Sequence, residues 1–113
     1  MVMSLKDKYQ LDFIKVYRNV KPNICVQKNP AHDENSHLYF LDLLDANECR
    51  GFIYDLDSCI DWQSNVDEGF RSDSVDNQDI RYCYPNVVIN DILTIPMIDM
   101  RGLLQEWLDF IND

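Results

Sequence analysis

His32 and His37 lie five positions apart with Asp33 and Glu34 between them, four side chains of metal-ligating type. They fall in a polar, turn-rich stretch with neither helical ligand spacing nor a flanking cysteine, so an exposed loop is expected there rather than a metal site. Asp73, Asp76 and Asp79 have the carboxylate density of a calcium loop but lack its D-x-[DN]-x-[DN]-G order and closing Glu. Cys25, Cys49, Cys59 and Cys83 form no CxxC pair. The ten-residue separation of Cys49 and Cys59 suits neither zinc nor a redox couple, and small buried or half-buried thiols are expected. With both histidines in one loop, a Cys–His or Ser–His–Asp catalyst would have to be assembled from that loop alone. Paired carboxylates doing acid–base work need a deep cleft, which 113 residues can barely build. The expectation is therefore no catalytic residue, no metal and no cofactor. A small carboxylate-dependent hydrolase is the enzymatic alternative.

Charge is more informative than any of these clusters. Twenty Asp and Glu against ten Lys and Arg give a formal net charge of −10. A surface that binds DNA, RNA or anionic lipid needs a positive field to displace counterions, so nucleic acid and membrane are not the expected partners. The acidity is also uneven. Residues 1–30 carry six basic and two acidic residues, whereas residues 31–113 carry four basic and eighteen acidic, and no lysine follows Lys28. Within 55–79, eight carboxylates stand against Arg71 alone, a density that resembles a stretch of phosphodiester backbone in spacing and sign. Trp62 and Phe70 lie among them as candidate anchors, since binding energy concentrates at aromatics ringed by polar residues. Asp61, Trp62, Asp67, Glu68, Phe70, Asp73, Asp76 and Asp79 are accordingly the expected partner-binding residues, facing a basic protein.

The elements that must position this window follow from periodicity. Leu5, Tyr9, Phe13, Val16, Tyr17 and Val20 recur every three or four residues, which predicts a helix over residues 5–20, with alternation through Leu11, Phe13 and Tyr17 as a competing strand signal. Ser4 and Asp7 have capping-box spacing at its start. A short strand is expected over 24–27, a loop over 29–37, and a strand over the apolar run 38–44. Asp45 and Glu48 form a capping box ahead of a helix over 45–61, with Cys49, Phe52, Ile53, Leu56 and Ile60 as its apolar stripe. Gly51 costs that helix about 1 kcal/mol relative to Ala, which suggests a close packing contact. Residues 62–79 read as a long polar loop. Strands are expected over 80–84, 87–89 and 92–95, with turns at Pro85-Asn86 and Asn90-Asp91, and a last helix from near Pro96 with a wide apolar face. The expected fold is a single α+β domain over residues 1–113, a small and mostly antiparallel sheet packed with two or three helices. No run approaches the ~20 apolar residues of a membrane span. Without an apolar leader pattern near the start, a reducing cytoplasm is the expected compartment.

In size, acidity and texture the chain resembles the immunity proteins of bacterial polymorphic toxin systems, including those of contact-dependent growth inhibition. The segments that carry the resemblance are FIYDLDSCIDWQSNVDEGF and the ending ILTIPMIDMRGLLQEWLDFIND. It implies a non-enzymatic protein that forms a heterodimer with one cognate toxin domain, often a nuclease, and neutralises it by covering its basic substrate cleft. A nucleic-acid mimic that inhibits host DNA-binding enzymes is the alternative on the same charge pattern.

Overall fold

The computed structural model describes residues 4–15, 23–27 and 33–112. Its first element, α1 (Leu5–Lys8), is one turn capped by Ser4, whose Oγ accepts the Asp7 N–H at 3.4 Å. The helix expected to run to residue 20 ends there. Gln10 takes a left-handed φ of 60°, and β1 (Leu11–Lys15) pairs antiparallel with β2 (Asn23–Gln27), Phe13 opposite Cys25. Leu11 and Phe13 are buried while Ile14 is exposed, so alternation outweighs the helical spacing once a second strand supplies hydrogen-bond partners. Val16, Tyr17 and Val20, which carried the rest of the helical pattern, lie outside the described residues, as does His32.

The strand expected over 38–44 is also corrected. Residues Asp33–Leu43 form a 3-10 helix; Leu38 and Leu41 fall at its three-residue period, Leu44 continues the spacing just past its end with its N–H donating to Leu41 O, and all three are buried. An unbroken apolar run does not by itself separate a strand from a helix, and here the spacing of the leucines decides.

Helix α2 (Ala46–Trp62) begins as expected, with both halves of the capping box formed. Asp45 Oδ1 accepts from Glu48 N at 2.8 Å, and Glu48 Oε1 accepts from Asp45 N at 3.1 Å. Its end is set by Gln63, at a left-handed φ of 53°. The strands β3 (Ile80–Cys83), β4 (Asn86–Ile89) and β5 (Leu93–Pro96) make an antiparallel meander in that order. The first turn contains a cis Tyr84–Pro85 bond; the second places Asn90 and Asp91 at φ 57° and 56°, the paired positive values of a type I′ turn. Pro96 closes β5, and helix α3 (Met97–Asn112) follows directly.

Helices α2 and α3 pack antiparallel. Leu44 O accepts from Trp107 Nε1 at 3.5 Å, Cys49 Sγ donates to Leu104 O at 3.3 Å, and Asp57 pairs with Arg101 at 3.0 Å. Burial pushes the Cys49 thiol up to about 12, which keeps the S–H protonated and able to donate. The inward residues of the meander, Ile80, Tyr82, Val87, Ile89, Leu93 and Ile95, join both helices in one core that also takes in Leu11, Phe13 and the 3-10 leucines. Trp107 sits at one end of it, edge-on to Phe13 at 5.0 Å. On α3, Glu106 accepts the Leu5 and Lys6 N–H groups, and Asp99 accepts from Tyr9 Oη at 2.6 Å, so α1 is tied to α3 by polar contacts. The fold is α+β, and among the described residues no helix is long and apolar enough to cross a membrane.

Candidate functional site

The segment after α2 is an ordered strap that runs back along the helix. Val66 N donates to Cys59 Sγ, the Phe70 ring stacks on Phe52, and the hydroxyls of Ser72 and Ser74 donate to Glu48. Those contacts step from the last turn of α2 to its first. On its other side the strap joins the edge of the meander: Phe70 N donates to Ile80 O at 3.1 Å, and Tyr82 N to Glu68 O at 2.9 Å. Gly69 bridges Arg81 between those bonds. A short 3-10 turn, Asp73–Val75, ends the strap and buries Val75.

Held between helix and sheet, the strap separates residues that sequence places together. Phe70 is turned into the core at 9% exposure, with ring centroids 4.3 Å from Phe52, and is corrected from surface anchor to packing residue. Trp62 does the opposite. It is 77% exposed at the end of α2, beside the exposed Asp61 and close in sequence to the exposed Asp67. Asp73 and Asp76 are exposed at the other end of the helix, near Glu48. The two acidic groups therefore stand roughly 20 Å apart, from the rise per helical residue.

Pairing reduces the free charge further. Arg71 holds Glu68 at 2.9 Å, Arg81 holds Asp79 at 3.0 Å, and Arg101 holds Asp57. Asp55 accepts from Tyr82 Oη at 2.8 Å. Asp61, Asp67, Asp73 and Asp76 form no ion pair among the described residues. Between the strap and β3 lies an open depression of about 820 Å³, lined by Asp67, Glu68, Arg71, Asp79 and Arg81 among others. Its charges are largely internally matched.

Elsewhere, His37 is engaged. Asn90 Nδ2 donates to His37 Nδ1 and to Gln78 Oε1, each at 2.9 Å, while Asn90 Oδ1 accepts from Asp79 N at 2.8 Å. Among the described residues no three His, Cys, Asp or Glu side chains stand together as metal ligands. Cys49 and Cys59 are buried as expected; Cys83 is exposed.

Sequence reasoning passed over Tyr54, which is 73% exposed. It was legible as the complement of the apolar stripe: with Cys49, Phe52, Leu56 and Cys59 inside, residues 51, 54, 58, 61 and 62 must face outward at 100° per residue. Gly51 lies on that outer face, and a β-carbon added to it would meet nothing within 4 Å. The close packing contact suggested by Gly51 is therefore absent among the described residues. The chain matches no protein-family model, no curated protein and no solved structure.

Proposed function

We propose that this protein is an immunity protein that binds a cognate toxin domain and covers its basic substrate cleft. The observation that carries the reading is the exposed Trp62 standing beside Asp61 and close in sequence to Asp67, carboxylates with no ion pair among the described residues. An exposed tryptophan loses apolar contact with water only on binding, and unpaired acids favour a positive partner and speed the encounter with it. Inhibition by occupancy requires no turnover. The partner is a basic protein domain, and the affinity comes from burying the aromatic while carboxylates pair with lysines or arginines.

Co-expression with the product of the directly preceding gene tests this reading. The expected result is toxicity of that product alone, rescue by this protein, and a 1:1 complex. A non-toxic product, or no rescue, overturns it.

A further inference from the structure

We propose that the outer face of α2, centred on Gly51, Tyr54 and Trp62, is the surface on which a basic protein partner docks; this rests on the binding function proposed above and assigns it to a face outside most of the acidic strap. Tyr54 and Trp62 are 73% and 77% exposed, and eight residues apart they sit on the same side of the helix with Ser58 between them. Each ring leaves most of its surface in water. Tyrosine and tryptophan are the side chains most often found to dominate binding energy at protein interfaces.

Gly51 supplies an independent observation. It sits inside a 17-residue helix, where Gly is about 1 kcal/mol less favourable than Ala, and among the described residues nothing would touch its β-carbon. No packing contact among the described residues calls for a glycine there. A bare patch of helix backbone next to two exposed aromatics admits close approach by a side chain from outside.

Charge selects the occupant at the Trp62 end of the face. Asp61 lies there beside Trp62 and Asp67 follows just beyond the helix end, whereas Arg50, exposed beside Gly51, donates to Asn47 and leaves the Gly51 end without net negative charge. A second copy would bring the same carboxylates together on molecules that each carry −10, so self-association through this face is opposed. A segment that carries lysine or arginine near Asp61 and an apolar side chain over Gly51 fits both features.

The test uses the full-length protein with Gly51→Gln, Tyr54→Ala and Trp62→Ala, and Asp73→Asn/Asp76→Asn as the far-end control. Binding to the product of the preceding gene is measured by calorimetry, and folding by thermal melting. The expected result is a loss of about tenfold or more in affinity for each of the three face variants, with little change for the far-end control. Gly51→Gln should also melt at or above the wild-type temperature, because the loss is at the interface and not in the fold. Unchanged affinity in the face variants, or a lowered melting temperature for Gly51→Gln, overturns the assignment. If the wild type does not bind that product, the proposed function fails, and the face is tested alone with an amphipathic Lys/Leu peptide. The exposed Trp62 emission should then shift to shorter wavelength, with Trp62→Phe as the blank, and Gly51→Gln should suppress the shift. No shift, or a dimer that Trp62→Ala dissolves, overturns the docking face.

Discussion

The α-carbon of Gly69 lies against the carbonyl of Ile80 so closely that a β-carbon on it would stand 1.9 Å from the oxygen. No side chain fits there without moving the strap off the sheet. The flanking Phe70 N to Ile80 O and Tyr82 N to Glu68 O bonds would have to lengthen in response. Gly69→Ala is expected to destabilise the protein by roughly 2–3 kcal/mol, read by urea unfolding. A change under about 0.5 kcal/mol would mean that the strap is not held this tightly.

The two aromatics of the acidic window should part company on mutation. Phe70→Ala removes a ring stacked on Phe52 with an 8° angle between planes and is expected to cost about 3–4 kcal/mol. Trp62→Ala, at 77% exposure, should stay within about 0.5 kcal/mol of wild type. Parallel urea melts of the two variants provide the comparison.

Neighbouring residues of the β4–β5 turn should respond in opposite directions. Asp91 has a φ of 56° and only a distant pairing with Arg81 at 3.8 Å, so Asp91→Gly relieves left-handed strain and is expected to raise stability by up to about 1 kcal/mol. Asn90 has nearly the same φ, but its amide serves Asp79 N, His37 and Gln78. Asn90→Gly keeps the backbone and strips that network, with an expected loss of about 1–3 kcal/mol. Thermal melts of both variants check the signs.

Glu48 links the pH response to the strap. Partial burial works against its charge, but the hydrogen bonds from Ser72, from the Asp45 backbone and from Ser74 outweigh it and hold the carboxyl below its ordinary value. A carboxyl lowered by folding stabilises the protein above its unfolded value, and that contribution disappears as pH falls through the folded one. Glu48→Gln keeps a capping-box residue and removes the titration. Because the carboxylate is largely in contact with water and its interactions are screened, the change should cost roughly 0.5 kcal/mol or less at neutral pH, and the variant should lose stability less steeply than the wild type as pH falls through and below the ordinary carboxylate range. Asp99 contributes in the same direction, since the hydrogen bonds from Tyr9 and Lys8 outweigh its burial, so the acid response should be reduced and not abolished. Equal slopes for wild type and variant would remove Glu48 from the account.

What the amino-acid sequence determined by itself was local. The capping box at Asp45 and Glu48, the apolar stripe of α2, the Asn90-Asp91 turn, the three-stranded meander and α3 all depend on residues within a few positions of one another, and each forms where its pattern predicts. Tertiary partners decided the rest. Residues 11–15 carry both a helical and an alternating pattern, and pairing with β2 selects the strand. Leu38, Leu41 and Leu44 read as strand material until the core collects them along one side of a 3-10 helix and the residue that follows it. The opening carboxylates and aromatics show the same division. Their number and net charge are properties of composition, but which acids keep their charge free depends on Arg71, Arg81 and Arg101, and the last of these is 44 residues from its Asp57 partner. Phe70 and Trp62 are both large aromatics in a polar stretch. Only the route of the strap between α2 and β3 turns one inward and leaves the other in water, because direction at the end of a strand or helix is set by what it packs against.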